Sequence, residues 1–254
     1  MDLHLAGKTV LVTGASKGIG LACAQEFAAE GCHLHLASRT EADLQKAADS
    51  IRAKHQVNVT IHPIDIAAKG NSEKLAEVCS HSDVLVNNAG AIPGGDLWAI
   101  DEERWRDSWN LKMFGYINLC RAVYPKLKAK GGGAIVNVLG MAGFSPNFNY
   151  IAGSTANAGL MQFTRALGGK SVDDGIRVVA CNPGAVATER LITLAKTRAK
   201  ELFGDESRWE DAVQKEPPPG KPEEIADLVV YLASDRASHI SGTVINIDGG
   251  KSSR

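Results

Sequence analysis

The octapeptide Thr13-Gly14-Ala15-Ser16-Lys17-Gly18-Ile19-Gly20 separates the apolar run Thr9-Val10-Leu11-Val12 from the amphipathic stretch Leu21 to Glu30. Strand, tight turn and helix follow one another with no residue to spare, which is how a parallel βαβ unit begins. Gly14 permits the turn. Gly18 lets backbone N–H groups approach a pyrophosphate with no Cβ in the way, and Gly20 lets the helix pack close to the strand. Gly14, Ser16, Lys17, Gly18, Ile19 and Gly20 are therefore the expected phosphate cradle of a dinucleotide site.

The rest of the chain repeats the same alternation. Short β-branched runs occur near Thr9–Val12, His33–Ala37, Val57–His62, Val84–Val86, Ala134–Val138, Val178–Cys181 and Val244–Ile247, separated by segments of helical periodicity. Runs apolar on both faces belong to buried parallel strands. The expected fold is α/β: one doubly wound, Rossmann-type domain spanning 1–254, a seven-stranded parallel sheet with helices on both faces and ligands beyond the carboxyl ends of the strands. One long interruption, 188–220, carries Leu191, Leu194, Phe203 and Trp209 among many charges and closes with Pro217-Pro218-Pro219-Gly220. It reads as a helical lid over the substrate.

Charge and cysteine usage remove several classes of function. Lys+Arg 28 against Asp+Glu 29 gives a net charge of −1, and there is no basic block or aromatic-interleaved patch, so nucleic acid is not an expected partner. No signal-like apolar segment precedes the first strand, and no run reaches the roughly 18 apolar residues that span a bilayer, which leads to the expectation of a cytosolic protein without membrane contact. Cys23, Cys32, Cys79, Cys120 and Cys181 are scattered singly with no CxxC spacing, as reduced core residues would be. His33 and His35 share one face of the second strand, but no third ligand has usable spacing, so no metal site is expected.

Further along, Asn87-Asn88-Ala89-Gly90 ends the fourth strand, Asn110 lies in the next helix, Cys181-Asn182-Pro183-Gly184 follows the sixth strand, and Ile245-Asn246-Ile247-Asp248-Gly249-Gly250 lies near the C-terminus. With the glycine turn, these make the chain, from Gly7 to about Gly250, resemble the short-chain dehydrogenase/reductase family. The resemblance implies a nicotinamide-dependent oxidoreductase acting on a carbonyl or alcohol as a homotetramer. It also implies that the loop opened by Pro183 and Gly184 holds the nicotinamide amide through the backbone of Val186, with Thr188 near the pyrophosphate. Asn88, Ala89 and Gly90 form a small-residue strand exit with room for a ribose. Asp65, with Ile66 beside it, can accept from the adenine amino group or, alternatively, cap a helix.

The second strand decides which nicotinamide cofactor is expected. An NAD site needs a carboxylate there for the ribose hydroxyls. This chain has Ser38 followed by Arg39, and Lys17 sits in the glycine turn. Two cations and no acid suit a 2′-phosphate, so NADP(H) is the expected cofactor.

The family's usual site, by the same resemblance, has a tyrosine that exchanges the proton with substrate, a serine that orients the substrate oxygen, a lysine that binds the ribose and an asparagine that holds a relay water. Tyr150 and Asn110 match by position. Strand register puts Gly140 where the serine belongs, whereas counting back from Tyr150 lands on Asn137; Ser145 in the intervening loop is a substitute. Ser154 stands in place of the lysine and retains a hydroxyl for the ribose. The literal Tyr124-Pro125-Lys126-Leu127-Lys128 precedes the fifth strand and lies on the wrong side of the topology. Loss of the lysine weighs more on alcohol oxidation, which needs the phenolate as base, than on carbonyl reduction, which needs the phenol as acid. Two readings follow: an NADPH-dependent carbonyl reductase with a modified proton relay, and a non-catalytic NADP(H)-binding protein that serves as a redox sensor or oligomeric partner.

Overall fold

Pleating explains why the strand runs carry apolar residues at successive positions. In the computed structural model, which describes residues 1–213 and 215–253, β1 (Thr9–Thr13) turns Val10 and Val12 to one face and Leu11 to the other. The same split recurs in β4 (Val84–Asn87), with Val84 and Val86 opposite Leu85, and in β5 (Gly133–Val138), with Ala134 and Val136 opposite Ile135. A strand with two covered faces needs a helix layer on each.

Those layers are present. The strands β2 (His33–Ser38), β3 (Val59–Pro63), β6 (Ile176–Pro183) and β7 (Val244–Ile247) complete a seven-stranded sheet in the order β3-β2-β1-β4-β5-β6-β7, every pairing parallel. One face packs against α1 (Gly18–Ala29), α2 (Glu41–Arg52) and a late helix, Pro222–Ala233. The other packs against α3 (Asn71–Val78) and a long rod made of α4 (Glu102–Trp109), a π-helical turn at Asn110–Phe114, and α5 (Gly115–Ala129). Beside that rod lies α6 (Ile151–Ser171). This is the expected doubly wound architecture, with β1 and β4 adjacent where the strand order reverses.

The interruption after β6 is helical: α7 (Glu189–Phe203), a short α8 (Trp209–Ala212), and a return in which Gly220 bridges to Val186 before α9 (Pro222–Ala233). Position 214 of that excursion lies outside the described residues. All five cysteines are buried and free. No helix among the described residues is long and apolar enough to cross a membrane.

A buried polar chain pins α6 to the sheet. Asn87 Nδ2 donates to Asn137 Oδ1 at 2.9 Å, Asn137 Nδ2 donates to Thr164 Oγ1 at 3.0 Å, and Thr164 donates in turn to the Leu160 carbonyl at 2.8 Å. Both asparagines and Thr164 are fully buried. Thr164→Val preserves shape but orphans the Asn137 donor, at a cost of about 1–3 kcal/mol. Urea unfolding of the variant is expected to show that loss as a lower midpoint; an unchanged midpoint would mean that the chain contributes nothing to holding α6.

Candidate functional site

The carboxyl ends of the strands open into one cavity of about 790 Å³. Its floor at one end is the glycine turn. Gly14 and Gly18 adopt left-handed backbone, with φ of 65° and 58°. Gly20 is packed so closely that a Cβ would lie 2.2 Å from the Gly14 carbonyl oxygen. Asn88 clamps the turn: its Nδ2 donates to the carbonyls of Thr13 and Gly14 at 3.1 and 3.2 Å, and the Thr13 hydroxyl accepts from the N–H groups of Asn88 and Ala89. Gly14, Ser16, Lys17, Gly18 and Ile19 line the cavity above α1, as a phosphate cradle requires, while Gly20 supports it from below.

At the end of β2, Ser38 and Arg39 form the adjoining wall. Ser38 Oγ is covered by protein and has no hydrogen-bond partner among the described residues. Arg39 is exposed and makes no hydrogen bond or ion pair among them. An orphaned hydroxyl beside a free guanidinium fits a phosphorylated ribose. Lys17 differs from the expectation. Its ammonium pairs with Glu189 of α7 at 2.6 Å, linking the glycine turn to α7 and holding that carboxyl below its usual range. Asp65 differs too: its carboxylate accepts the Ala67 N–H at 3.0 Å, capping the turn after β3, and only its neighbours Ile64 and Ile66 reach the cavity wall.

Away from the glycine turn the cavity is built from Gly90, Gly140, Tyr150, Pro183, Gly184 and Val186, while Asn88, Ala89 and Thr188 line it beside that turn. The Gly220 bridge uses the Ala185 carbonyl and the Ala187 N–H and leaves the N–H of Val186 outside it. Thr188 caps α7, accepting from the Leu191 N–H. Tyr150 precedes the first turn of α6, and its ring lies flat over Gly153, where a Cβ would come within 2.1 Å of two ring carbons. That contact fixes the ring against its own helix.

Two residues expected at this end are not brought to it. Asn110 is exposed and outside the cavity wall. The helix opens into a π turn at this residue, and the wider turn rotates the inward face onto Lys112. Ser154 is buried with its hydroxyl committed to the loop before α6, accepting from the Asn147 N–H at 3.0 Å and donating to the Asn147 carbonyl at 3.3 Å. It does not line the cavity. Asn137 is spent on the buried chain to Thr164, and Ser145 lies exposed on the cavity rim. Tyr124 and Lys128 both bind Asp174, away from the cavity.

Two polar groups that sequence reasoning missed occupy the gap. Lys112 lines the cavity while almost wholly buried; its Nζ donates to the carbonyls of Leu139 and Val138 at 3.0 and 3.4 Å and lies 5.6 Å from the centre of the Tyr116 ring. Burial, and then the charge of Arg190, lower its pKa to about 8. Asn157 is 2 % exposed, also lines the cavity, and makes no side-chain hydrogen bond among the described residues. A Cβ on Gly140 would lie 3.1 Å from its Nδ2, so the amide stands against the place a side chain at 140 would fill. The only sequence signal for Lys112 was a cation inside the apolar stretch Leu111 to Phe114.

Comparison with known proteins agrees with this geometry. The chain is 35% identical to galactitol 2-dehydrogenase (L-tagatose-forming) of Cereibacter sphaeroides, with 97% of this chain and 96% of that protein covered. It is 32% identical to 2-keto-3-deoxy-L-fuconate dehydrogenase of Xanthomonas campestris, with 98% of this chain and 81% of that protein covered. The crystal structure of L-sorbose reductase from Gluconobacter frateurii, complexed with NADPH and L-sorbose, superposes with a TM-score of 0.91 at 32% identity, covering 100% of both chains. The family model of short chain dehydrogenases matches residues 8–199, and with that match, the fold and the cavity in agreement, the chain belongs to the short-chain dehydrogenase family and is an oxidoreductase of that type.

Proposed function

We propose that the chain is an NADPH-dependent reductase of small ketones whose proton relay is built from Tyr150, Lys112 and Asn157. The carrying observation is the buried Lys112 ammonium in the wall of the same cavity as Tyr150, on the side of Gly140. The names of the relatives, which pair keto-sugars or keto-acids with their alcohols, favour a hydroxylated ketone as substrate.

The glycine turn holds the pyrophosphate, Ser38 and Arg39 the phosphorylated ribose, and the backbone at Val186 the nicotinamide amide. Bound there, NADPH supplies the hydride for the carbonyl carbon. The protein supplies the proton. Tyr150 donates it to the carbonyl oxygen, Lys112 restores it from its ammonium, and the Asn157 amide orients that oxygen in the space Gly140 leaves open. Ser154 holds the Asn147 loop, and Asn110 takes no part.

A non-catalytic NADP(H)-binding role is the second reading, favoured by the commitment of Ser154 to the loop. Tight NADPH binding with no turnover across a panel of ketones, keto-sugars included, selects it. The chain is also proposed to assemble as a homotetramer through the rod of α4, the π turn and α5 together with α6, where Phe114 of the π turn is 47% exposed and Ala158 and Gly159 of α6 are half-buried. Light scattering is expected to return four times 26.9 kDa; a concentration-independent monomer removes that proposal.

NADPH is expected to bind about tenfold or more tightly than NADH, since one charge-assisted contact to the 2′-phosphate contributes about 1.5–3 kcal/mol. Arg39→Asp reverses the preference, and equal affinities in the wild type would refute the assignment.

Only the ammonium form of Lys112 can donate, and it is populated below a pKa of about 8. Ketone reduction is therefore level at lower pH and falls as pH rises through about 8. Lys112→Met is expected to remove that limb and to lower kcat by about 10²–10⁴-fold with NADPH affinity retained, as is the drop for Tyr150→Phe. An unaltered pH profile in Lys112→Met leaves the lysine a packing element.

A further inference from the structure

We propose that His35, His62 and Cys79 form a binding site for a divalent transition metal of the zinc type, separate from the active-site cavity. The three residues come from different elements: β2, β3 and the residue that ends α3. Their donor atoms all lie within 4.8 Å of one another. His35 Nδ1 is 2.8 Å from His62 Nε2, which is 3.6 Å from Cys79 Sγ. A tetrahedral zinc ion with bonds of about 2.0–2.1 Å to nitrogen and 2.3 Å to sulfur separates its nitrogens by about 3.3 Å and nitrogen from sulfur by about 3.6 Å. The His62–Cys79 distance fits as it stands, His35 lies within 4.8 Å of the sulfur, and the imidazoles have to part by about half an ångström.

The surroundings suit a ligand set. His35 is 7% exposed and Cys79 is 2% exposed. The other nitrogen of His35 lies 3.2 Å from His81 Nε2. A proton on His35 Nε2 shared with His81 leaves Nδ1 bare and fixes the ring, the outer-shell arrangement that metal-ligating histidines use. One thiol with two imidazoles selects zinc, cobalt or copper over magnesium or calcium. An open cavity lined by His35 and His81 gives solvent access. On binding, Cys79 loses its thiol proton to solvent and His62 shifts its proton from Nε2 to Nδ1, leaving one net positive charge from a divalent ion. A water molecule completes the set.

No metal site was expected at His33 and His35, for want of a third ligand with usable spacing. His33 Nδ1 accepts the Asn58 N–H at 3.2 Å. His35 acquires the missing ligands from β3 and from the end of α3, which no local spacing reveals. The site would clamp β2 to β3 just before Ser38, whose register partner is Pro63.

Untagged, full-length, chelator-stripped protein under reducing conditions tests this by titration with Co²⁺, displacement by Zn²⁺, and X-ray absorption of the zinc-loaded wild type. One equivalent of Co²⁺ is expected to bind with a thiolate-to-cobalt charge-transfer band that Zn²⁺ removes, and the zinc spectrum is expected to require sulfur as well as nitrogen in its shell. Cys79→Ser is expected to lose the band, and His81→Ala to bind about 10–100-fold more weakly. NADPH binding, read by fluorescence, checks the fold of both variants. Absence of a charge-transfer band in the wild type, a band that persists in Cys79→Ser, or a zinc shell of oxygen and nitrogen alone would each overturn the site.

Discussion

The active-site end of the molecule depends on an ammonium group held out of water. Lys112 reaches through the floor of the cavity to two backbone carbonyls at the end of β5 and lies near the face of Tyr116. Taking a cation out of water is costly unless hydrogen bonds compensate it. Two carbonyls and a ring compensate only in part, which is why its pKa falls to about 8. A charge kept at that cost constrains what surrounds it. Gly90 packs so close to the lysine stem that a Cβ there would come within 2.9 Å of Cδ, and the π turn that aims Lys112 inward gives up regular helix geometry to do so.

The lysine, Gly140 and Asn157 form one arrangement. Removing a side chain at 140 leaves a space, and the Asn157 amide, buried and without a hydrogen-bond partner for its oxygen, borders it. An unpartnered buried amide is expensive unless something polar arrives. In the proposed reaction a substrate carbonyl oxygen would accept from the amide N–H groups, and a water or substrate hydroxyl would donate to the orphaned oxygen.

The sheet was legible in the sequence, and the catalytic end was legible only in part. Strand order and the glycine turn follow from local rules: a β-branched run, a turn that needs glycine, a helix. The expected runs agree with the observed strands to within about two residues at most ends, with β3 reaching Pro63 and β6 extending at both ends. Asn110 and Lys112 show why the rest was hidden. Nothing in Trp109 to Phe114 announces a π turn, and the extra residue that such a turn takes up moves the inward face from one side chain to another. Asp65, which takes a capping role like the alternative weighed for it, and Lys17, which lines the cavity but is paired, were hard to place for a related reason. Each found a near partner, the Ala67 N–H and Glu189, that composition does not reveal.

Ser154 carries the same lesson to the level of mechanism. Read as a vacated lysine position, it invites the thought that restoring the lysine would restore a conventional site. The structure argues otherwise. The Ser154 hydroxyl makes two hydrogen bonds to the backbone of Asn147, and Asn147 itself lines the cavity. A long charged side chain at 154 would expel that loop and leave the Asn147 N–H and carbonyl without their partner. A chain that fastens this loop through the Ser154 hydroxyl therefore has reason to keep a small hydroxylated residue at 154.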